Sequence, residues 1–257
     1  FDPHDAKARD TTPHHSTHYT DSVSDSQTLC VICVFAHSHR TERMIDHRGV
    51  EFADLLARLT KNLQTAFETK NDVFVLTSSG TGAMEAAIVN TLSPGERVLA
   101  VTVGNFGDRF SRIASSYGAD VNQLKFPEGE AADPTMIRQA LESDPDITSV
   151  LLTHNETSTG ITNDMETIAG IVKGEFNKLL LVDAISSLGS IRLPVDEWGL
   201  DVVCAGSQKG WMCPPGLSMI SMSERAWEAS KNAKMPKFYY DLTEAKKAVV
   251  KGQTPWT

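Results

Sequence analysis

The sequence predicts an α/β fold in which a mainly parallel sheet is covered by helices on both faces. Two continuous apolar runs, residues 179–182 and 202–205, are typical of strands buried on both faces of a parallel sheet. Segments with helical periodicity separate such runs, so strands and helices alternate along the chain. We therefore expect a three-layer α/β/α architecture built as one large domain.

The elements follow in order. Apolar residues between 52 and 67 recur at helical spacing, and a strand is predicted over 73–76. Small residues from 77 to 82 lead into a helix. A buried strand is predicted over 98–103 and a short strand near 121–126. Asp133 and Pro134 are typical of a helix start, with Asp as the cap and Pro in the first turn. A strand over 149–153, a helix over 164–176 and a helix from Ser223 complete the pattern.

Composition limits the classes of function. The chain has 257 residues and 40% hydrophobic content, enough to bury a sizeable core. Its net charge of -9 and the lack of a basic cluster argue against a nucleic-acid partner. No run of about 18 apolar residues occurs, so we expect no membrane span. We expect no metal site and a reduced, cytoplasmic setting, with organellar targeting left open.

Residues 1–43 differ from the rest of the chain. They are polar, rich in His, Thr, Asp and Ser, and without periodicity. We expect them to be disordered or a leader foreign to the fold, and we assign residues 44–257 to the domain.

Asp183 and Lys209 are the main candidates for chemistry. Each follows a predicted buried strand, and neighbouring parallel strands would place both at one edge of the sheet, where α/β folds bind ligands. An ordinary salt bridge is the simpler interpretation of such a pair. The small residues around Lys209 leave space for its amine to attack a carbonyl, however. Pyridoxal phosphate needs both a lysine for its aldehyde and an acid beside its ring nitrogen.

Residues 77–82, which read TSSGTG, favour an anion site. A strand is followed by small residues and then by a helix, so free backbone N–H groups and the positive end of the helix dipole would face a phosphate. Thr81, Gly82 and Ala83 are the predicted contacts, and Gln208 is predicted to help hold the phosphate. Asp108 and Arg109 are assigned to the start of the next helix.

These motifs together resemble the class V aminotransferases. The stretches SSGTGAMEAA at 78–87, THNETSTG at 153–160 and VDAISSLG at 182–189 carry the resemblance, together with GSQKG at 206–210. The likeness is greatest to the alanine–glyoxylate and serine–pyruvate aminotransferase group. It implies the large domain of pyridoxal-phosphate fold type I, and transfer of an amino group from alanine or serine to glyoxylate or pyruvate.

The resemblance also implies roles for individual residues. Phe106 matches an aromatic residue that stacks on the cofactor ring, and Thr157 or Ser158 matches a hydroxyl near that ring. Lys209 holds the cofactor and acts as base, while Asp183 is the partner of the ring nitrogen. The segment 253–257 is similar to one that reaches the cofactor phosphate of a neighbouring subunit. A homodimer with Thr254 and Thr257 as contacts is therefore expected.

Two alternatives remain open. The family's smaller C-terminal domain, with the arginine that binds the substrate carboxylate, has no counterpart here, so we expect a fragment. Such a fragment would be a non-catalytic cofactor binder or an incomplete enzyme. A cysteine desulfurase of the same class is the other alternative, although Gln208 and Phe106 stand where that group has histidines.

Overall fold

A computed structural model of the chain describes residues 45–256, and it contains one seven-stranded sheet and a two-stranded hairpin. The strands of the large sheet are β1 (Asp72–Thr77), β2 (Arg97–Thr102), β3 (Asp120–Lys125), β4 (Ser149–Thr153), β7 (Leu179–Asp183), β8 (Val202–Gly206) and β9 (Leu217–Met222). The hairpin pairs β5 (Asn155–Glu156) with β6 (Ile161–Thr162). The predicted strands of the large sheet are confirmed, and no strand end differs from its predicted position by more than one residue.

Contrary to the expected alternation, irregular loops join β7 to β8 and β8 to β9. Elsewhere the strands of the large sheet are separated or flanked by helices. The helices are α1 (Val50–Ala66), α2 (Gly80–Thr91), α3 (Asn105–Ser116), α4 (Pro134–Ser143), α5 (Met165–Ala169), α6 (Glu224–Asn232) and α7 (Leu242–Val250). The helix expected over 164–176 is split, because α5 continues as a π-helix over Gly170–Glu175. Asp133 caps α4 by accepting a hydrogen bond from the Thr135 N–H, and Pro134 occupies the first turn, which confirms that predicted helix start.

The sheet order is β1-β9-β8-β7-β4-β2-β3. Strand β9 is antiparallel to both β1 and β8, and the other pairs are parallel. Every strand except β9 therefore ends at the same edge of the sheet. The sheet is mainly parallel, as predicted, and the loops that follow β1, β2, β4, β7 and β8 lie together at its carboxyl edge.

Successive residues of each strand contribute to two separate apolar cores. Within β7, Leu180 and Val182 pack in one core, whereas Leu179 and Leu181 pack in the other. The first core includes residues of α1, α4 and α5, and the second includes residues of α2, α3, α6 and α7. The period of two along a strand thus produces the three-layer α/β/α architecture. Within the described residues, no helix combines the length and apolar character needed to cross a bilayer.

Candidate active site

Strands β7 and β8 lie side by side and bring Asp183 and the loop of Lys209 to the same edge. Their pairing places Asp183 opposite Cys204, two residues before the end of β8. The expected convergence of these two strand ends is confirmed. A carboxylate and a lysine therefore lie at the same carboxyl edge of a mainly parallel sheet, the usual ligand position of such folds.

Asp183 is a buried carboxylate, with 3% of its surface exposed. Burial raises its pKa from 3.8 to about 7 because the charged form loses water. The Ile185 N–H opposes this by donating to Oδ1 at 3.0 Å, and the charges of Arg109 and Lys209 also lower the pKa. The charge of Glu156 raises it further. In the described part of the chain Asp183 has no salt bridge, so its charge would gain from a cationic ligand.

Lys209 is half-buried, and its Nζ lies 5.9 Å from the centroid of the Phe106 ring. Its loop is closed by Ser207, which donates through Oγ to the Pro214 carbonyl at 2.7 Å. Gly210 is required next to the lysine, since a Cβ there would lie 2.9 Å from the Leu188 carbonyl oxygen. The loop after β8 is therefore held against the loop after β7.

The start of α2 lies against the loop after β7, the end of β8 and Tyr240. A Cβ on Gly80 would lie 2.6 Å from Ile185 Cδ1, and a Cβ on Gly82 would lie 2.4 Å from the Tyr240 hydroxyl. Both glycines are buried, so the backbone itself forms this surface. The Gln208 Oε1 atom is also buried and has no hydrogen-bond partner among the described residues. Free rotation of that carboxamide would let its N–H₂ group face an anion instead.

Glu156 ties the loop after β4 to the start of α3. Its carboxylate is fully buried and accepts hydrogen bonds from the backbone N–H groups of Phe106 and Gly107, each at 3.0 Å. Ser158 donates through Oγ to Glu156 at 2.6 Å and accepts from the Asn105 N–H at 3.1 Å. The hydroxyl of Ser158 is thus engaged in this loop, while Thr157 is exposed. Which of the two contacts a ligand stays a prediction.

Arg109 belongs to the site, contrary to its assignment from sequence as a residue that opens the next helix. Helix α3 begins at Asn105, and the Arg109 guanidinium carbon lies 4.8 Å from the centroid of the Phe106 ring. Its Nη1 donates to Thr81 Oγ1 at 3.3 Å. Phe106 and Arg109 are three residues apart and share one face of the helix, which was the available signal. Asp108 points away and pairs with Lys125 at 3.1 Å.

His154, which directly follows β4, is buried and neutral. Its Nδ1 lies 2.9 Å from the Ser187 hydroxyl, and burial lowers its pKa from 6.5 to about 4. It therefore supports the loop after β7 as a hydrogen-bonding group. Among the described residues no cluster of three or more His, Cys, Asp or Glu side chains is arranged for a metal ion.

The C-terminal segment lies against its own chain near the end of β1. Trp256 donates through Nε1 to the Tyr239 carbonyl at 2.9 Å and stacks on Phe238, with ring centroids 4.8 Å apart. Thr254 lines a small cavity of about 30 Å³ together with Thr77 and Tyr240. Thr257 and residues 1–43 lie outside the described residues, so the predictions for them stay predictions.

Comparisons with known proteins identify the family. A model of the family described as aminotransferase class V matches residues 17–254. That match includes part of the N-terminal segment expected to be foreign, whose nature stays a prediction. The chain is 45% identical over 215 residues to the soluble hydrogenase 42 kDa subunit of Anabaena cylindrica, covering 83% of this chain and 56% of that protein. It is 36% identical over 217 residues to the L-aspartate–glyoxylate aminotransferase of Paracoccus denitrificans, covering 83% and 55%.

Solved structures agree with this result. The subgroup IV aspartate aminotransferase of Thermus thermophilus superposes with a TM-score of 0.80 at 34% identity, over 86% of this chain and 62% of that one. The chain spans little more than half the length of the curated relatives it matches. The fold is that of the pyridoxal-phosphate-dependent aminotransferases of fold type I, and the chain belongs to the class V aminotransferase family.

Proposed function

We propose that this chain is the cofactor-binding part of a pyridoxal-phosphate-dependent aminotransferase. The proposed reaction moves an amino group from a small amino acid, alanine or serine, to a 2-oxo acid such as glyoxylate or pyruvate. The observation that carries the proposal is the buried Asp183 carboxylate beside Lys209 and the Phe106 ring, at the carboxyl edge of the sheet. Several similar proteins are named glyoxylate aminotransferases, which supports the choice of acceptor.

The residues present fit pyridoxal phosphate. The cofactor offers an aldehyde, a ring nitrogen that carries a proton, a flat aromatic face and a phosphate. Lys209 matches the aldehyde, Asp183 the ring nitrogen and Phe106 the flat face. The Gln208 carboxamide, whose Oε1 atom is buried without a hydrogen-bond partner among the described residues, matches the phosphate. The Thr81–Ala83 backbone matches it as well, because side chains at positions 80 and 82 would have no room.

Asp183 would act on the charge of the bound ring. Its folded-state pKa of about 7 shows that the protein groups around it do not fully stabilise the ionised carboxylate. A protonated ring nitrogen would supply the missing cationic partner and favour the ionised form. Bound pyridoxal phosphate supplies an electron sink for the electrons released at the substrate α-carbon.

Lys209 would hold the cofactor and then move the substrate's proton. The Lys209 amine would also be the group that takes the proton from the substrate α-carbon. The adjacent Gly210 packs against Leu188 and Ser190, which limits the movement of the lysine backbone. Phe106 would restrict the cofactor to one plane, and Ser158 or Thr157 would contact the ring.

We further propose a homodimer in which Thr254 and Thr257 approach the neighbour's phosphate, and a reduced, cytoplasmic setting. Support for the dimer is the exposed aromatic pair Phe238 and Trp256 beside Thr254, since such pairs are common at interfaces. Support for the setting is that Cys204 is a buried, free thiol.

Borohydride trapping tests the proposal. Incubation of the chain with pyridoxal phosphate, reduction with borohydride and peptide mapping should place the label on Lys209. Lys209→Ala should lose the visible absorbance band of the bound cofactor and keep its circular dichroism in the far ultraviolet. Lys178→Ala is the control, because that lysine only donates to the Pro145 carbonyl at the surface. A label on another lysine would contradict the assignment.

A second experiment distinguishes an enzyme from a protein that only binds the cofactor. The protein encoded by the complete reading frame should convert alanine or serine with glyoxylate or pyruvate, whereas cofactor binding without turnover would favour the non-catalytic alternative. Release of sulfide from cysteine would favour a desulfurase. The likeness to a cysteine desulfurase of Thermococcus onnurineus, with a TM-score of 0.62 at 15% identity, shows the shared fold alone.

A further inference from the structure

The start of helix α3 is capped from a distant part of the chain. Its N-cap residue, Gly104, has no side chain to offer, in contrast to Asp133 at the start of α4. The Glu156 carboxylate takes that place from 50 residues away, accepting from Phe106 N and Gly107 N through the same oxygen. A helix that carries the proposed ring-stacking residue is thus anchored to the loop after β4.

The contact between the Glu156 carboxylate and the start of α3, called the anchor below, leaves no space for a side chain at Gly104. A Cβ on Gly104 would lie 2.6 Å from Glu156 Cγ, so glycine is needed for the carboxylate to reach the helix. The second carboxylate oxygen accepts from Ser158 N at 3.2 Å and from Ser158 Oγ at 2.6 Å. Both oxygens of a fully buried side chain are therefore occupied by fixed donors. Hydrogen bonds of this charge-assisted kind at a helix N-terminus are stronger than neutral ones.

The negative charge of Glu156 has no cationic side chain as partner in the described part of the chain. Its compensation comes from backbone N–H groups and from the α3 dipole. Burying a carboxylate without a cationic side chain beside it is costly, even when backbone N–H groups compensate part of its charge. The free-energy cost of burying this carboxylate is consistent with a role of Glu156 in fixing the position of Phe106.

We propose that Glu156 is a positioning residue that sets the orientation of the Phe106 ring and, through it, of the cofactor ring. The inference rests on the proposed function, and Glu156 itself is not placed in contact with substrate or cofactor. Arg109 lies one turn further along α3 and over the same ring, so it is positioned by the same anchor. Loss of the anchor should therefore change how the cofactor is held, in addition to any loss of stability.

Induced circular dichroism of the bound cofactor tests this inference, because the signal per bound molecule depends on ring orientation and not on the folded fraction. Glu156→Ala should weaken pyridoxal phosphate binding by about tenfold or more, as expected for the loss of charge-assisted hydrogen bonds, and change that signal. Gly104→Ala should do the same by displacing Glu156. Glu156→Gln should be intermediate, because its carbonyl oxygen still accepts from α3 but its N–H₂ group cannot accept from Ser158.

Asp133→Ala is the matched control. It removes a helix-capping carboxylate in α4, so it should lower the urea midpoint and leave both cofactor readouts unchanged. Glu156→Ala that folds and shows the unmodified signal per bound cofactor would overturn the inference. If that variant does not fold, Glu156→Gln decides, and identity with the unmodified chain in both readouts would overturn it. An unmodified chain that binds no pyridoxal phosphate would instead overturn the proposed function, and this inference with it.

Discussion

Asp183→Asn should stabilise the cofactor-free chain at neutral and alkaline pH while weakening its proposed function. The carboxyl has a pKa of about 7 in the folded chain, against 3.8 for its ordinary value, because it is buried. A raised pKa means that the folded state binds the proton more tightly than the unfolded state. The contribution of the Asp183 carboxyl to the unfolding free energy is therefore fully present below about pH 4, falls as the pH rises, and is lost above about pH 7.

The size of the effect follows from that difference. A difference of one pKa unit corresponds to about 1.4 kcal/mol. Ionised Asp183 therefore lowers the unfolding free energy of the cofactor-free chain by about 4 kcal/mol above pH 7. Asparagine has the same shape, and its carbonyl oxygen still accepts from the Ile185 N–H. The variant should thus equal the unmodified chain near pH 4 and exceed it by about 4 kcal/mol at pH 8.

Urea unfolding from pH 4 to 9, followed by tryptophan fluorescence, measures the effect as a difference between the two proteins. The difference is needed because His154, with its pKa lowered to about 4, contributes the opposite slope: its stability is present above pH 6.5 and is lost as the pH falls. Asp164→Asn is the control, since asparagine caps a helix as well as aspartate does. A difference in unfolding free energy that does not change with pH would refute the reasoning. So would an Asp183→Asn variant that is less stable than the unmodified chain at pH 8.

Three other substitutions test the scaffold. Asp201→Ala should destabilise the chain by about 3–5 kcal/mol in urea unfolding. The reason is that the half-buried Lys173 loses the carboxylate that it contacts at 2.5 Å. An unchanged urea midpoint would contradict this prediction. Gly210→Ala should weaken pyridoxal phosphate binding about tenfold in a spectroscopic titration, since the new Cβ meets the Leu188 carbonyl oxygen at 2.9 Å; normal binding would show that the loop relaxes freely. Gly174→Ala has open space around it and should raise stability by up to about 1 kcal/mol, and a loss of stability would mean that the π-helix needs glycine there.

The order of elements could be predicted because each signal lies within a short stretch of sequence. The apolar run of β7 and the sharp change to Asp183 identify a buried strand and its end without reference to any other part of the chain. The cap formed by Asp133 and Pro134 is equally local, and its geometry is as predicted. The direction of β9 has no local signal, because an apolar strand looks the same in either orientation, and its antiparallel pairing with β1 and β8 emerges only in the assembled sheet.

For the candidate site, the sequence by itself determined the strand-end residues Asp183 and Lys209, the small-residue start of α2 and the family. Only the tertiary structure placed Glu156 and Arg109 beside Phe106. Glu156 acts on backbone N–H groups 50 residues away, and these carry no side-chain signature that a motif could record. The raised pKa of Asp183 was also beyond the sequence, since it depends on how completely the surrounding layers exclude water from one carboxylate.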